Sequence, residues 1–157
     1  MSRHLHLILV VWLLVAAGGP SAEPGKEDAA AKDLAKLQGK WMLVAEDFDG
    51  KVTRYGKGAV IGFDKEIEIE YDGDGGVAVK SSVKLDPAQS PKAIDLTITF
   101  IPIFPREKGK TLRGIYQLEG DELKLAFPAA PYRERPKEFK TEKGGHFTVI
   151  TYKRLKP

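Results

Sequence analysis

From Lys40 onward, apolar side chains recur with a period of two rather than 3.6, and turn residues interrupt the pattern at short intervals. No other feature limits the fold as much. Glu66-Ile67-Glu68-Ile69-Glu70-Tyr71 alternates without a fault. Val77, Val79, Ser81, Val83 and Leu85 line one face of a longer segment, with Lys80, Ser82 and Lys84 on the other. Ile94, Leu96, Ile98 and Phe100 alternate with Asp95, Thr97 and Thr99. Residues 40–45, 59–63, 111–118, 122–127 and 147–154 read the same way. The connections carry Asp49-Gly50, Asp72-Gly73, Asp86-Pro87, Ser90-Pro91 and Gly120-Asp121, which are turn chemistry. The expected class is all-β, with about eight short antiparallel strands in a sandwich or barrel. Eight strands close around an interior just wide enough for side chains or one small ligand. The chain shows no internal repeat and no second domain.

Ahead of the strands, Asp28 is placed to cap a short helix over residues 29–37. Leu34 and Leu37 share one face of it, and Gly39 stops it. Residues 23–28 are polar, contain Pro24 and Gly25, and read as a flexible linker, so the domain is expected to run over 29–157. Residues 1–22 read as a secretory signal peptide. Arg3 supplies the positive start, residues 7–17 form an apolar run too short to span a bilayer, and small residues follow in a cleavage zone between Gly18 and Glu23. The other reading of this leader is an uncleaved membrane anchor. A cleaved leader makes the mature chain secreted or periplasmic. It has no cysteine, so no disulfide supports it and its core alone must hold it together.

The chain carries 25 basic and 22 acidic side chains; loss of Arg3 with the leader leaves 24 against 22, with the signs interspersed. No basic stripe with interleaved aromatics is present, and nucleic acid is not an expected partner. Beyond the leader there is one histidine, His146. A nucleophile needs a base beside it, and zinc needs three or four ligands, so neither an enzyme nor a metal or other cofactor is expected. Asp72-Gly73-Asp74-Gly75-Gly76 opens like a calcium loop. Gly76 and Val83 stand where such a loop needs its fifth-place oxygen and its twelfth-place Glu, and the segment reads as a β-turn. Glu66, Glu68 and Glu70 read as a solvated outer face, which puts Ile67, Ile69 and Tyr71 inside.

Gly39-Lys40-Trp41 opens the first strand, and Arg154 lies in the last. A Gly-x-Trp opening with a late Arg resembles the barrel signature of the lipocalins. The resemblance implies a closed cup whose base is filled by Trp41, stacked under the Arg154 guanidinium, with Gly39 letting the backbone pass close. The middle lipocalin motif, a Thr-Asp-Tyr type turn, is not present. A longer set of blocks runs in order through the chain: Leu37-Gln38-Gly39-Lys40-Trp41, Lys84-Leu85-Asp86-Pro87, Pro91-Lys92-Ala93-Ile94-Asp95-Leu96-Thr97, Gly109-Lys110-Thr111, Gly114-Ile115-Tyr116-Gln117-Leu118-Glu119-Gly120-Asp121, Leu123-Lys124-Leu125 and Arg135-Pro136-Lys137-Glu138-Phe139. This set resembles an uncharacterised lipocalin-like family of exported planctomycete proteins. That resemblance implies a single small β-barrel domain and no known activity.

Phe100-Ile101-Pro102-Ile103-Phe104-Pro105 is the one strongly apolar connection. Ile101, Ile103 and Phe104 are placed to fold over a barrel mouth, enter a membrane surface or dock a partner, unless the strand simply continues into the core. Asp95 is expected to tie down the loop around residues 87–91, and Arg135 with Phe139 to pin a late loop. Parity makes Tyr71, Tyr116 and Phe127 the interior candidates for ligand contact. Two function classes stay open. One is a monomeric lipocalin-like barrel holding a small apolar or amphipathic ligand. The other is a ligand-free structural or interaction module of the cell envelope, with an envelope protein as partner.

Overall fold

A computed structural model describes residues 24–131 and 133–156. The leader, residues 1–22, lies outside them. The described chain opens with a helix, α1 (Pro24–Leu37), followed by nine strands: β1 (Gly39–Phe48), β2 (Lys51–Arg54), β3 (Val60–Asp64), β4 (Ile67–Tyr71), β5 (Val77–Asp86), β6 (Ala93–Phe100), β7 (Thr111–Glu119), β8 (Glu122–Pro128) and β9 (Phe147–Arg154). The helix begins earlier than the linker reading allowed, and residues 24–28 form its first turn. The cause is local: proline is pre-set for the first helical position, and Glu27 suits the positive end of the helix dipole. Asp28 therefore lies inside the helix and does not cap it.

Every strand pairs antiparallel with the next along the order β1-β3-β4-β5-β6-β7-β8-β9, and β9 returns to β1. The result is a closed eight-stranded antiparallel barrel, as the alternation required, with β2 as one added strand. Closure leaves these eight strands without a free edge along most of their length. β1 accommodates two partners on one edge. Its first residues pair with β3, its last with β2, and Asp49 and Gly50 turn the chain with positive φ at both positions, which is the geometry a two-residue hairpin demands. On its other edge, β1 pairs with β9, with a bulge between Leu43 and Ala45. The bulge reverses which residues face inward above it.

The apolar core fills the end of the barrel that α1 covers. Leu37, Trp41, Ile94, Tyr116, Leu123 and Leu125 are buried there, with Leu34 packed against them. A smaller apolar cluster of Ile115, Ala126 and Val149 sits on the outside of β7–β9. The long β8–β9 loop covers it with Phe139. Arg135 in the same loop donates to the carbonyls of Ile94 and Gly114 and pairs with Asp95 at 2.7 Å. Asp95 thus ties down this late loop rather than the 87–91 loop, because it projects from the outer face of β6 under the path of Arg135. The far end of the loop is fastened to the β1–β2 hairpin. Thr141 donates to Asp47, Gly50 N–H donates to Thr141, and Gly144 N–H donates to Asp49.

Candidate functional site

The helix end of the barrel is closed by three linked devices. Trp41 is fully buried and donates its indole N–H to the Leu37 carbonyl at 2.8 Å. The Arg154 guanidinium lies 4.0 Å from the indole centroid. It also donates to the carbonyls of Gln38 and Lys36, which the end of the helix leaves unpaired. Gly39, with φ of +103°, makes the sharp exit from helix to strand that no L side chain adopts easily. Asp33, 6% exposed, accepts from Tyr116 at 2.8 Å and from Lys92 at 2.6 Å. Burial works to raise the Asp33 pKa, but the hydrogen bonds from Lys92 and Tyr116 outweigh it and hold the carboxyl below its ordinary range. Burial and the bond to Asp33 push the Tyr116 phenol upward.

The wall of the interior formed by β3, β4 and β5 is different in kind. Register places Glu68 between Phe63 of β3 and Ser81 of β5, both buried. Glu68 is 2% exposed, and its Oε2 has no hydrogen-bond partner among the described residues. Burial first, and the charge of Glu70 second, push its carboxyl up to about 8, although a hydrogen bond from Ser81 works to lower it. Glu70, two residues on along the same face, reaches solvent, and burial still raises its pKa. The β1 bulge turns Glu46 to the same side, paired with the core-packed Ile150, and Tyr55 donates to Glu46 at 3.0 Å. Tyr152, buried in the core, has its phenol pushed upward by burial and by the nearby Glu70, Glu68 and Glu46 carboxylates. Among the described residues, no salt bridge reaches Glu46, Glu68 or Glu70.

These carboxylates correct one expectation. Glu68 and Glu70 do not form a solvated outer face; they point into the barrel, and Ile67, 43% exposed, is on the outside. Glu66 lies exposed in the β3–β4 turn. Tyr71 is outside as well. Its ring packs where a Cβ on the outward side of Gly62 would come, within 3.2 Å, and Lys40 stands 4.7 Å over its centroid. It lines an outer groove of about 540 Å³ with Lys57, Val60 and Leu155. Alternation defines two faces but not which one is inside. Here the inward face is set by pairing with Phe63 and Ser81, not by the polarity of β4.

Tyr116 and Phe127 are interior, as parity indicated. Tyr116 is engaged by Asp33, and Phe127 lies across Gly114, where an added Cβ would stand 2.3 Å from its ring. The 101–104 segment does not continue into the core. Phe100, Ile103 and Phe104 are exposed, Ile103 by 72%, and a short 3-10 turn, Pro105–Glu107, follows. This loop joins β6 to β7 beyond the Thr97–Thr111 pair. The 72–76 segment is a plain turn in which Asp72 accepts from the N–H groups of Asp74 and Gly76. Among the described residues, no group of three acidic, histidine or cysteine side chains converges closely enough to hold a metal ion. A scan of protein-family models and a search of curated proteins return no match to this chain.

Proposed function

We propose that this chain is an exported, monomeric lipocalin-like barrel that binds a small apolar or amphipathic ligand in its interior. One observation carries the reading. Glu68 is held almost fully buried inside the barrel, with Ser81 bonded to its carboxyl and its Oε2 left without a hydrogen-bond partner. Leaving such a group unmatched is costly, and an apolar or paired residue there would give a more stable barrel. Groups that oppose stability are kept where function needs them. The closed eight-stranded form is compatible with the reading, since a barrel of this size holds either packed side chains or one small ligand. The exposed Phe100, Ile103 and Phe104 favour it too, as an apolar surface on the β6–β7 connection. The resemblance to exported lipocalin-like proteins fits this role and adds no substrate.

The test is calorimetric titration of the purified protein with 1-hexanol, hexanoate and hexylamine, alongside melting curves. Saturable binding of any one probe, with a raised melting temperature, supports the reading. No heat and no shift with all three would overturn it. A second reading, an interaction module of the cell envelope, is favoured by the exposed Ile103 and Phe104, which a soluble barrel has no structural need to display.

A further inference from the structure

We propose that the β6–β7 loop docks the barrel onto an anionic lipid bilayer, with Ile103 and Phe104 entering the headgroup region and Arg106 and Lys108 meeting its phosphates. The proposal stands apart from the interior-binding reading and holds whether or not the barrel takes a ligand. Phe100, Ile103 and Phe104 are exposed, and so is every residue from Pro102 to Arg106. Large apolar side chains left together in water mark an interaction site. Among the described residues, the backbone of residues 101–110 bonds only within the loop and to Ile98 of β6, so no other element's backbone covers the tip. Pro105 opens the 3-10 turn, and with Pro102 it fixes the backbone, which leaves little ordering to be done on contact.

The charge beside the tip selects the partner. Arg106, Lys108 and Lys110 follow it in the chain, and Lys80 is the register partner of Phe100 on β5. Lys110 pairs with Glu107 at 2.8 Å. Among the described residues, Lys80, Arg106 and Lys108 have no salt bridge. An anionic bilayer complements both features at once, with an acyl boundary for the apolar tip and phosphates for the cations around it. Asp72 and Asp74 stand on the β4–β5 turn, at the same end of the barrel. Their charge keeps that turn off an anionic surface and leaves the β6–β7 side as the approach. A stable protein partner buries about 800 Å² on each side, more than one short loop presents, whereas a bilayer accepts a few apolar side chains backed by charge.

The experiment is co-sedimentation of the purified mature protein with vesicles of phosphatidylcholine, and with vesicles of equimolar phosphatidylcholine and phosphatidylglycerol, in dilute buffer and in high salt. The expected result is binding about tenfold or more tighter to the mixed vesicles, weakened by salt. Ile103→Ser with Phe104→Ser should lower that binding about tenfold or more. Arg106→Gln with Lys108→Gln should remove most of the preference for the mixed vesicles. Ile67→Ser takes away an exposed apolar side chain near the helix end and should bind as wild type does. All three variants should keep the wild-type melting curve, since every changed side chain is exposed. No binding to either vesicle, equal binding to both, or binding that the two double variants retain overturns the proposal. Weakened capture of an envelope protein by Ile103→Ser with Phe104→Ser, without vesicle binding by wild type, assigns the loop to a protein partner and overturns it as well.

Discussion

Replacing Glu68 by glutamine should stabilise the protein at neutral pH, and the size of the gain follows from the carboxyl's position. The Glu68 pKa is raised from 4.5 in the unfolded chain to about 8 in the folded one, chiefly by burial. Between those values, the folded protein keeps a proton that the unfolded chain has already lost. For an acid shifted upward, stability is therefore complete below pH 4.5 and declines as pH rises, levelling off beyond about pH 8. The slope approaches about 1.4 kcal/mol per pH unit, so the loss amounts to about 3 kcal/mol at pH 7 and about 5 kcal/mol above pH 8. Solvent screening does little to reduce this, since Glu68 is 2% exposed. Glutamine has the shape of the protonated acid and cannot ionise. It should recover about 3 kcal/mol at pH 7, or roughly 10 °C in melting temperature, and little at pH 4.5. Urea unfolding of both proteins from pH 4.5 to 8.5 measures the two profiles. Glu70 is shifted in the same direction and leaves the variant a shallower residual slope. A wild-type profile that is flat across this range, or a variant less stable than wild type at pH 7, would refute the placement of Glu68 as a buried, unmatched acid.

Trp41→Ala should cost about 3–5 kcal/mol, since the ring is fully buried and anchors the helix end, while Arg154→Ala should cost about 1–3 kcal/mol for the lost stacking and freed carbonyls; equal midpoints for Trp41→Ala and wild type in denaturant unfolding would remove the closure argument. Asp33→Ala should destabilise by about 1–3 kcal/mol by leaving the Tyr116 hydroxyl buried without its acceptor, while half-exposed Lys92 returns to solvent at little cost. Because the Asp33 pKa is lowered on folding, its contribution is present above the unfolded value and is lost as pH falls through the folded one, so wild-type stability should also drop on acidification below about pH 4, and Tyr116→Phe should blunt that drop. The double change Ile103→Ser with Phe104→Ser should leave the unfolding free energy within about 0.5 kcal/mol of wild type, as both side chains are exposed; if it also weakens capture of an envelope partner in a pull-down, the module reading gains, and unchanged capture counts against that reading.

The closed barrel was legible in the period of two because eight alternating segments with tight turns have few ways to bury one face each. The base was legible in Gly39, Trp41 and Arg154, whose chemistry is confined to a helix exit and an aromatic stack. The inward-facing carboxylates were not. In Glu66-Ile67-Glu68-Ile69-Glu70-Tyr71 the polar and apolar faces are both plain, and the usual preference for apolar side chains inside picks the wrong one. Only the registers with Phe63 and Ser81 decide it, and register is a property of strands distant in sequence. Glu46 was hidden by a second effect. On a regular strand it would face away from Trp41 and Leu43, and the bulge that turns it inward has no signature such as a glycine at that point.

The closure of the helix end and the buried acid of β4 serve different purposes. At the helix end every buried polar group is answered: the indole by Leu37, the guanidinium by Gln38 and Lys36, Asp33 by Tyr116 and Lys92. The β8–β9 loop braces the outside, with Arg135 across β6 and β7 and Thr141 on the β1–β2 hairpin. A chain without disulfides needs that reserve if it is to tolerate a costly group elsewhere. The cost is concentrated at Glu68, whose Oε2 is buried without a hydrogen-bond partner. Were the barrel only a scaffold, replacing Glu68 by an uncharged residue of its shape would lower its free energy at neutral pH. This acid is therefore better explained by what it meets when the interior is filled than by what it does when it is empty.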